Sequence, residues 1–190
     1  FTLVVDRLYS ETTYYYFTEV VNNGRTVYSD VMEFRTKAVT GYDTSFDTAN
    51  ATDLSAAGSA NSYIVSSAGT YSFPAVKGNT STSVGTVSTA DVLWETYGTS
   101  TAPSRGNLIK GAQYKDGKIY IKTNDTFREG NVLVAAKNSS GTVLWSWHIW
   151  MTDKPAEQVY RNNAGTMMDR NLGATSATPG DVGALGLMYQ

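Results

Sequence analysis

Residues 131–151, NVLVAAKNSSGTVLWSWHIWM, give the clearest indication of the fold. Two runs rich in β-branched and aromatic side chains flank the polar sequence Asn138-Ser139-Ser140-Gly141, which has the composition of a turn. Strand, turn and strand in this order are typical of an antiparallel hairpin. The sequence therefore predicts a strand over residues 131–137 that pairs with a strand over residues 142–151.

Shorter runs of the same kind precede this hairpin. Strands are predicted at residues 62–65, 70–76, 91–97 and 118–122. The first two are expected to form a short hairpin with each other, and Pro74 indicates an edge position or a bulge. Short strands at regular spacing, with turn signals between them, predict an antiparallel β-sandwich of the immunoglobulin or fibronectin type III kind over residues 61–154. No helix of two turns is expected within it.

Composition limits the classes of function. The formal net charge is −2 and the 15 basic residues are scattered, whereas a nucleic-acid surface needs clustered Lys and Arg. The chain has no cysteine, which excludes disulfide scaffolds, zinc ribbons and thiol nucleophiles. No apolar stretch approaches the roughly 20 residues that span a bilayer. We therefore expect no nucleic acid partner, no cofactor and no transmembrane segment.

Residues 1–37 read as part of a second β module. Phe1–Val5 has the pattern of a strand, and the turn Asn22-Asn23-Gly24 predicts a hairpin between residues 12–21 and 26–36. Val27, Val31 and Phe34 are the expected core contacts of this hairpin. Two or three strands do not close a sandwich alone, so the sequence predicts the C-terminal part of a module here.

One motif in this region resembles a known family. Leu8-x-x-x-Thr12-x-Tyr14 resembles the Leu-x-Pro-x-Thr-x-Tyr signature of fibronectin type III domains, with Ser10 in place of the proline. Phe34-Arg35-Thr36 is similar to the last strand of such modules. The resemblance implies a tyrosine corner, in which the Tyr14 hydroxyl bonds to backbone a few residues upstream. A generic hairpin is the alternative.

Two further segments differ from the strands in composition. Residues 38–60 are rich in small and polar side chains and are expected to be a linker. Residues 155–190 combine short strands near Tyr160 and Met167 with turn-forming sequence. This last segment is expected to be the beginning of an incomplete third domain.

The aromatic run Trp145 to Trp150 supports two interpretations. The first interpretation is a central core strand that is covered on both faces. The alternative is that one face carries an exposed sugar-stacking platform, with Trp94, His148 and Trp150 as the candidate ligand-binding residues. His148 is the only histidine, so neither a metal site nor a catalytic triad is expected, and no catalytic residue is assigned. The acids Glu95, Asp116, Asp125 and Glu129 form no pair that the sequence can place.

A broader resemblance covers residues 60–190. The chain is similar to fimbrillin-like and related exported proteins of Gram-negative anaerobic gut bacteria, and its end resembles the start of a C-type-lectin-like, sulfatase-modifying-factor-like or major-paralogous domain. The motifs that carry this resemblance are Ser62-Tyr63-Ile64-Val65, Gly69-Thr70-Tyr71-Ser72-Phe73-Pro74, Val92-Leu93-Trp94-Glu95-Thr96, Leu144 to Trp150, Met168-Asp169-Arg170-Asn171-Leu172-Gly173-Ala174 and Gly186-Leu187-Met188-Tyr189-Gln190. The resemblance implies export to the outer-membrane surface, as a lipoprotein or pilus-associated protein, and no established enzyme activity.

The sequence therefore favours a modular cell-surface protein that acts as an adhesive or structural presentation module. Its expected partners are other protein subunits or surface ligands, including glycans. A carbohydrate-binding module for glycan capture is the alternative. An enzyme is supported only by the resemblance of the C-terminal segment to a sulfatase-modifying fold.

Overall fold

The computed structural model describes residues 5, 8, 12–37, 41–96 and 105–187. The described residues form β-strands, turns and two short 3-10 helices, with no α-helix. The chain divides into two compact units, Phe1–Thr40 and Gly41–Gln190. The all-β class expected from the sequence is confirmed.

The first unit is the predicted hairpin, bent once along its length. Its four strands are β1 (Thr13–Tyr16), β2 (Glu19–Asn22), β3 (Arg25–Tyr28) and β4 (Met32–Arg35). β2 pairs with β3 and β1 pairs with β4, both antiparallel. Asn23 and Gly24 adopt φ angles of 45° and 75°, the left-handed conformation that a tight hairpin turn requires. The predicted turn is therefore confirmed.

Apolar side chains of this unit lie on its surface. Val27 is 64% exposed, Val31 67% and Phe34 41%, so the prediction that these three are core contacts is wrong. In the described residues the unit has only two two-stranded sheets, and no opposing layer covers them. The Tyr14 ring stacks on Phe34 at 5.7 Å. Residues 1–4 of the strand expected at Phe1–Val5 lie outside the described residues, as does the backbone at residues 9–11 that a tyrosine corner would use.

The second unit contains two four-stranded sheets. Its strands are β5 (Thr52–Asp53), β6 (Ser62–Val65), β7 (Thr70–Pro74), β8 (Thr89–Thr96), β9 (Ile109–Lys115), β10 (Lys118–Thr123), β11 (Gly130–Lys137) and β12 (Val143–Met151). One sheet has the order β5-β7-β10-β9 and the other β6-β12-β11-β8. Phe73 of the first sheet and Trp147 of the second are fully buried, with ring centroids 5.3 Å apart. The two sheets thus share one hydrophobic core, as in a β-sandwich.

The predicted pairing of residues 62–65 with 70–76 is wrong. β6 and β7 lie in different sheets, and β6 instead runs parallel to β12, with Tyr63 opposite Ile149. β5 also joins its neighbour β7 in parallel. The remaining pairs of these two sheets are antiparallel, so the expectation of a purely antiparallel sandwich is corrected. Tyr63 and Val65 are only 5% and 1% exposed. β6 and β7 lie in different sheets because each sheet contributes side chains to the one core.

The linker expected at residues 38–60 is corrected from residue 41 onward. Asp43 bridges to Gly111 of β9, and Phe46 is only 7% exposed. A Cβ at Gly111 would lie 2.7 Å from the Phe46 ring, so glycine allows this close contact. β5 then lies against β7. The segment is polar because it runs along the edges of one sheet, where side chains face water on one side.

The last described residues continue in the second unit. The short strands β13 (Glu157–Val159) and β14 (Thr166–Met168) pair antiparallel, and all six of their side chains are exposed. Residues 171–187 then return to the sheet that contains β12. Asn131 Nδ2 donates to the Gly173 carbonyl at 2.9 Å. We refer to residues 171–187 as the covering segment.

Candidate functional site

The three candidate ligand-binding residues lie on one face of one sheet. Trp94 is opposite Leu133, and Leu133 is opposite His148, so these residues form one row across β8, β11 and β12. Trp150 lies in the next row, opposite Asn131. Directly opposed residues share a face, so the sequence identified residues that the fold does bring together.

The covering segment closes most of this face. The Trp150 side chain is fully buried and its Nε1 donates to the Ala174 carbonyl at 2.9 Å. His148 is 4% exposed, while Trp94 is only partly buried. The exposed platform predicted for His148 and Trp150 is therefore wrong, because both lie beneath the covering segment. The other interpretation, a central strand covered on both faces, agrees with their burial.

His148 is held neutral in a chain of hydrogen bonds. Its Nε2 lies 2.8 Å from Asn131 Oδ1 and its Nδ1 lies 2.9 Å from Ser62 Oγ. Since an amide oxygen only accepts, Nε2 carries the hydrogen and Nδ1 accepts from Ser62. Burial lowers the pKa of His148 to about 4. The histidine therefore joins β6, β12 and β11 as an uncharged polar link.

Glu95 is the second buried titratable group, and it also stabilises the fold. Its Oε2 accepts from the backbone N–H groups of Asn107 and Leu108, both at 2.6 Å. Its Oε1 accepts from the Tyr42 hydroxyl at 2.9 Å. Burial raises the pKa of Glu95, and the Leu108 N–H and the Tyr42 hydroxyl oppose that shift. The carboxylate fastens residue 42 and the start of β9 to β8.

Arg170 fastens the chain after β12 to the residues before the covering segment. Its side chain is 7% exposed. Nη1 lies 2.5 Å from Asp153 Oδ1, and Nε lies 2.8 Å from Asp169 Oδ1. These hydrogen bonds raise the pKa of Arg170 and lower those of both aspartates. The guanidinium thus remains charged and bridges two acids of its own chain.

An open groove of about 1080 Å³ lies beside β6. We call it the β6 groove. Its lining includes Leu54, Ser59, Ser62, Ile64, Thr80 and Lys154. Lys154 is the one charged side chain among the described residues that line it, and it forms no ion pair with a described residue. Sequence reasoning did not identify this groove, because its walls come from three separate loops.

The backbone of β6 presents to the groove polar groups that have no partner among the described residues. His148 N–H donates to the Asn61 carbonyl, and Thr152 N–H donates to the Val65 carbonyl. Odd-numbered residues of β6 therefore face β12, and the N–H and C=O groups of Ser62 and Ile64 face away from it. β6 is the outer strand of its sheet in the described chain. An edge of this kind is a template for an added strand.

Hydrogen bonds hold the walls of the groove in place. Asn79 N–H donates to the Ser59 carbonyl at 2.8 Å, and Ser59 Oγ donates to the Thr80 carbonyl at 2.7 Å. Gly78 N–H donates to Asn61 Oδ1 at 3.0 Å. A Cβ at Gly78 would lie 2.5 Å from that oxygen. The loop at residues 78–80 is thus fixed against residues 59–61, and the groove is formed before any ligand binds.

Comparison of the chain with models of known protein families, with curated proteins and with solved structures gives no match. Within the described ranges no group of three or more His, Asp or Glu side chains could hold a metal ion. Those ranges also contain no helix that is long and apolar enough to cross a membrane. The geometry of the groove and of the buried polar groups therefore carries the functional argument.

Proposed function

We propose that the chain is part of a modular, exported cell-surface protein whose β modules act in adhesion or structural presentation, with fimbrillin-like character. In this proposal residues 1–37 have fibronectin type III-like character, and residues 155–190 have lectin-like or sulfatase-modifying-factor-like character. The partners are other protein subunits or ligands on host or bacterial surfaces. The site is the outer-membrane surface of a Gram-negative bacterium.

One observation carries the choice of binding over catalysis. The buried titratable side chains Glu95, His148 and Arg170 each bond to groups of the chain itself. Each joins separate segments of the second unit, so their chemistry is used to hold loops and strands in place. The surface, in contrast, offers an open strand edge in a preformed groove. This division favours a rigid module that binds through its edges and loops.

Surface labelling tests the proposed location and role together. An antibody raised against the purified second unit is applied to intact and to permeabilised cells that produce the parent protein. Labelling of intact cells, lost after brief treatment with external protease, is the expected result. Labelling that requires permeabilisation would contradict the proposal. A periplasmic marker protein, labelled only after permeabilisation, is the control.

Glycan capture is the second candidate, and the polar lining of the β6 groove favours it. Ser59, Ser62, Thr80 and Ser81 place hydroxyl groups around the groove. The first three donate within the chain, but their oxygens can still accept hydrogen bonds from sugar hydroxyls. Trp94 is the member of the original platform that keeps some exposure. Saturable binding on a glycan array that is lost in Trp94→Ala or in the groove-filling variant Ser66→Trp would support this function. Absence of any saturable glycan would remove it.

A further inference from the structure

We propose that the β6 groove binds an extended peptide segment of a partner protein, which adds to the outer edge of β6 as a further strand and places a carboxylate beside Lys154. The inference names a partner class for the module proposed above, but it stands on the geometry of the groove. It assigns a peptide rather than a sugar to this site.

The backbone groups along β6 are spaced for the addition of a strand. Ser62 and Ile64 both direct an N–H and a C=O away from β12, two residues apart. Alternate residues of an added strand meet such groups at the same interval. A sugar has no repeat of donors and acceptors that matches this row. The edge therefore selects an extended polypeptide.

In the other sheet of this unit, short segments of the chain lie alongside the longer strands. Asp43 lies along β9, where its N–H donates to the Lys110 carbonyl and its C=O accepts from Ala112 N–H. At the opposite end of that sheet β5 pairs with β7 through two residues. Short extended segments thus add to both of these strands within the chain. The described residues provide no such segment for β6.

The groove has space beside β6 for the side chains of an added strand. Many of the groove residues are small, including Ala57, Gly58 and Ser66, so large side chains of an incoming strand have room. Leu54 and Ile64, the latter 37% exposed, supply apolar contact. Because the walls are already fixed by hydrogen bonds, binding orders little of the protein, which favours affinity.

Lys154 determines the charge expected of the partner. Thr152 N–H bonds to the Val65 carbonyl, which places residue 152 at the C-terminal end of β6, and Lys154 follows two residues later. An ammonium group without an acidic neighbour among the lining residues attracts a carboxylate on the ligand. The bound segment therefore carries an acidic side chain or its own carboxyl terminus at this end.

The test uses the whole 190-residue chain, labelled with 15N, and two defined probe peptides. Both are acetylated and amidated hexapeptides, Thr-Val-Thr-Val-Thr-Asp and Asp-Thr-Val-Thr-Val-Thr, which place the acid at either end. We expect one of them to give saturable shifts of the Ser62 and Ile64 amide resonances and to slow hydrogen exchange at both. The matched Asn peptide should bind about two- to fivefold more weakly, as an exposed ion pair is worth under about 1 kcal/mol. No saturable shift with either peptide would overturn the proposal.

Variants identify the contact. Ile64→Pro removes an N–H that faces the groove and no bond to β12, so the fold should persist while peptide binding is lost; Ile64→Val should bind as the parent chain does. Lys154→Glu should reverse the preference, so that a Lys peptide binds better than the Asp peptide. Should Ile64→Pro fail to fold, a probe N-methylated at alternate residues tests the same bonds. Binding that survives both changes would overturn the proposal.

Two other outcomes would assign the groove differently. Concentration-dependent self-association that Ile64→Pro abolishes would mean that a second copy occupies the edge, and would contradict a separate peptide partner. Saturable glycan binding with shifts at the same amides would give the site to sugars. Peptide binding is measured on purified protein and surface labelling on cells, so each proposal can fail while the other stands.

Discussion

The Tyr42 hydroxyl donates a hydrogen bond to Glu95 Oε1 over 2.9 Å. This bond joins residues that are 53 positions apart in the chain. It ties the first described residues of the second unit to β8, and Gly106 N–H in turn donates to the same hydroxyl at 3.1 Å. A segment that has the composition of a linker is therefore held by a hydrogen bond to a buried carboxylate.

Removing the charge of Glu95 should destabilise the second unit more than removing the Tyr42 hydroxyl. Glu95→Gln turns one acceptor into an N–H₂ group that faces backbone N–H donors, and should lower the free energy of unfolding by about 2–3 kcal/mol. Tyr42→Phe loses the hydrogen bond that the hydroxyl donates to Glu95 and the one it accepts from Gly106 N–H. This variant should lower the free energy of unfolding by about 1–2 kcal/mol. Urea denaturation followed by tryptophan fluorescence measures both. Equal, near-zero effects would contradict the role given to Glu95.

Stability should fall between pH 7 and pH 5 because of His148. Its pKa is about 4 in the folded chain and about 6.5 in an unfolded one. The unfolded state therefore binds more protons in this interval, and the free energy of unfolding should drop by about 2 kcal/mol as the pH falls from 7 to 5. Urea titrations at pH 7, 6 and 5 measure the drop.

His148→Gln is the control for this pH dependence. The chain has no other histidine, so the variant should lose most of the drop. Glu95 has the opposite effect on stability. Because its pKa is raised in the folded chain, the folded state binds more protons than the unfolded state at pH values just above the usual pKa range of a carboxyl group, and stability rises there as the pH falls. A drop that is equally large in His148→Gln would contradict a buried, neutral histidine.

Two glycines that flank the same contact should respond differently to alanine. Gly111→Ala places a Cβ 2.4 Å from the Asp43 carbonyl oxygen, whereas a Cβ at Gly41 meets nothing within 4 Å. We expect Gly111→Ala to lower the free energy of unfolding by about 1–3 kcal/mol and to speed proteolysis within residues 41–60. Gly41→Ala should match the parent chain in both measurements. Rapid proteolytic cleavage within residues 41–60 of the unaltered chain would contradict their packing against the sheet and indicate a linker.

Arg170 should control how firmly the covering segment is held. Arg170→Met keeps the apolar stem but leaves Asp153 and Asp169 without their cation, and should lower the free energy of unfolding by about 1–3 kcal/mol. Hydrogen exchange of the Trp150 indole N–H, which bonds to the Ala174 carbonyl, should become faster. Lys122→Met, on the far sheet, is the matched control. If hydrogen exchange of the Trp150 indole N–H is unchanged in Arg170→Met, the ion pairs of Arg170 do not hold the covering segment in place.

Local patterns predicted the elements well and their partners less well. Turn chemistry located the hairpins at Asn23-Gly24 and at residues 138–141, and Asn23, Gly24 and Gly141 adopt positive φ angles. Alternation located β6 and β7, but alternation is the same whichever strand lies alongside. The parallel pairing of β6 with β12 depends on contacts 86 residues apart, such as that between Ser62 and His148. No pattern within a single strand encodes such a distant choice.

The candidate site divides in the same way. Strand periodicity placed His148 and Trp150 on a common face, and the register of the sheet adds Trp94 to that face. Their burial depends on residues 173 and 174, which reach the face only through the tertiary fold. The β6 groove was not predicted, since small residues such as Ala57 and Ser66 carry no chemical signature in sequence.

Hydrogen exchange of single amides in β6 tests the open edge most directly. Tyr63 and Val65 direct their N–H groups toward β12, while Ser62 and Ile64 direct theirs into the groove. In the purified chain the first pair should exchange at least about a hundredfold more slowly than the second, because only the first pair is protected by the sheet. Equal protection of all four amides would contradict an edge that is available to a partner strand.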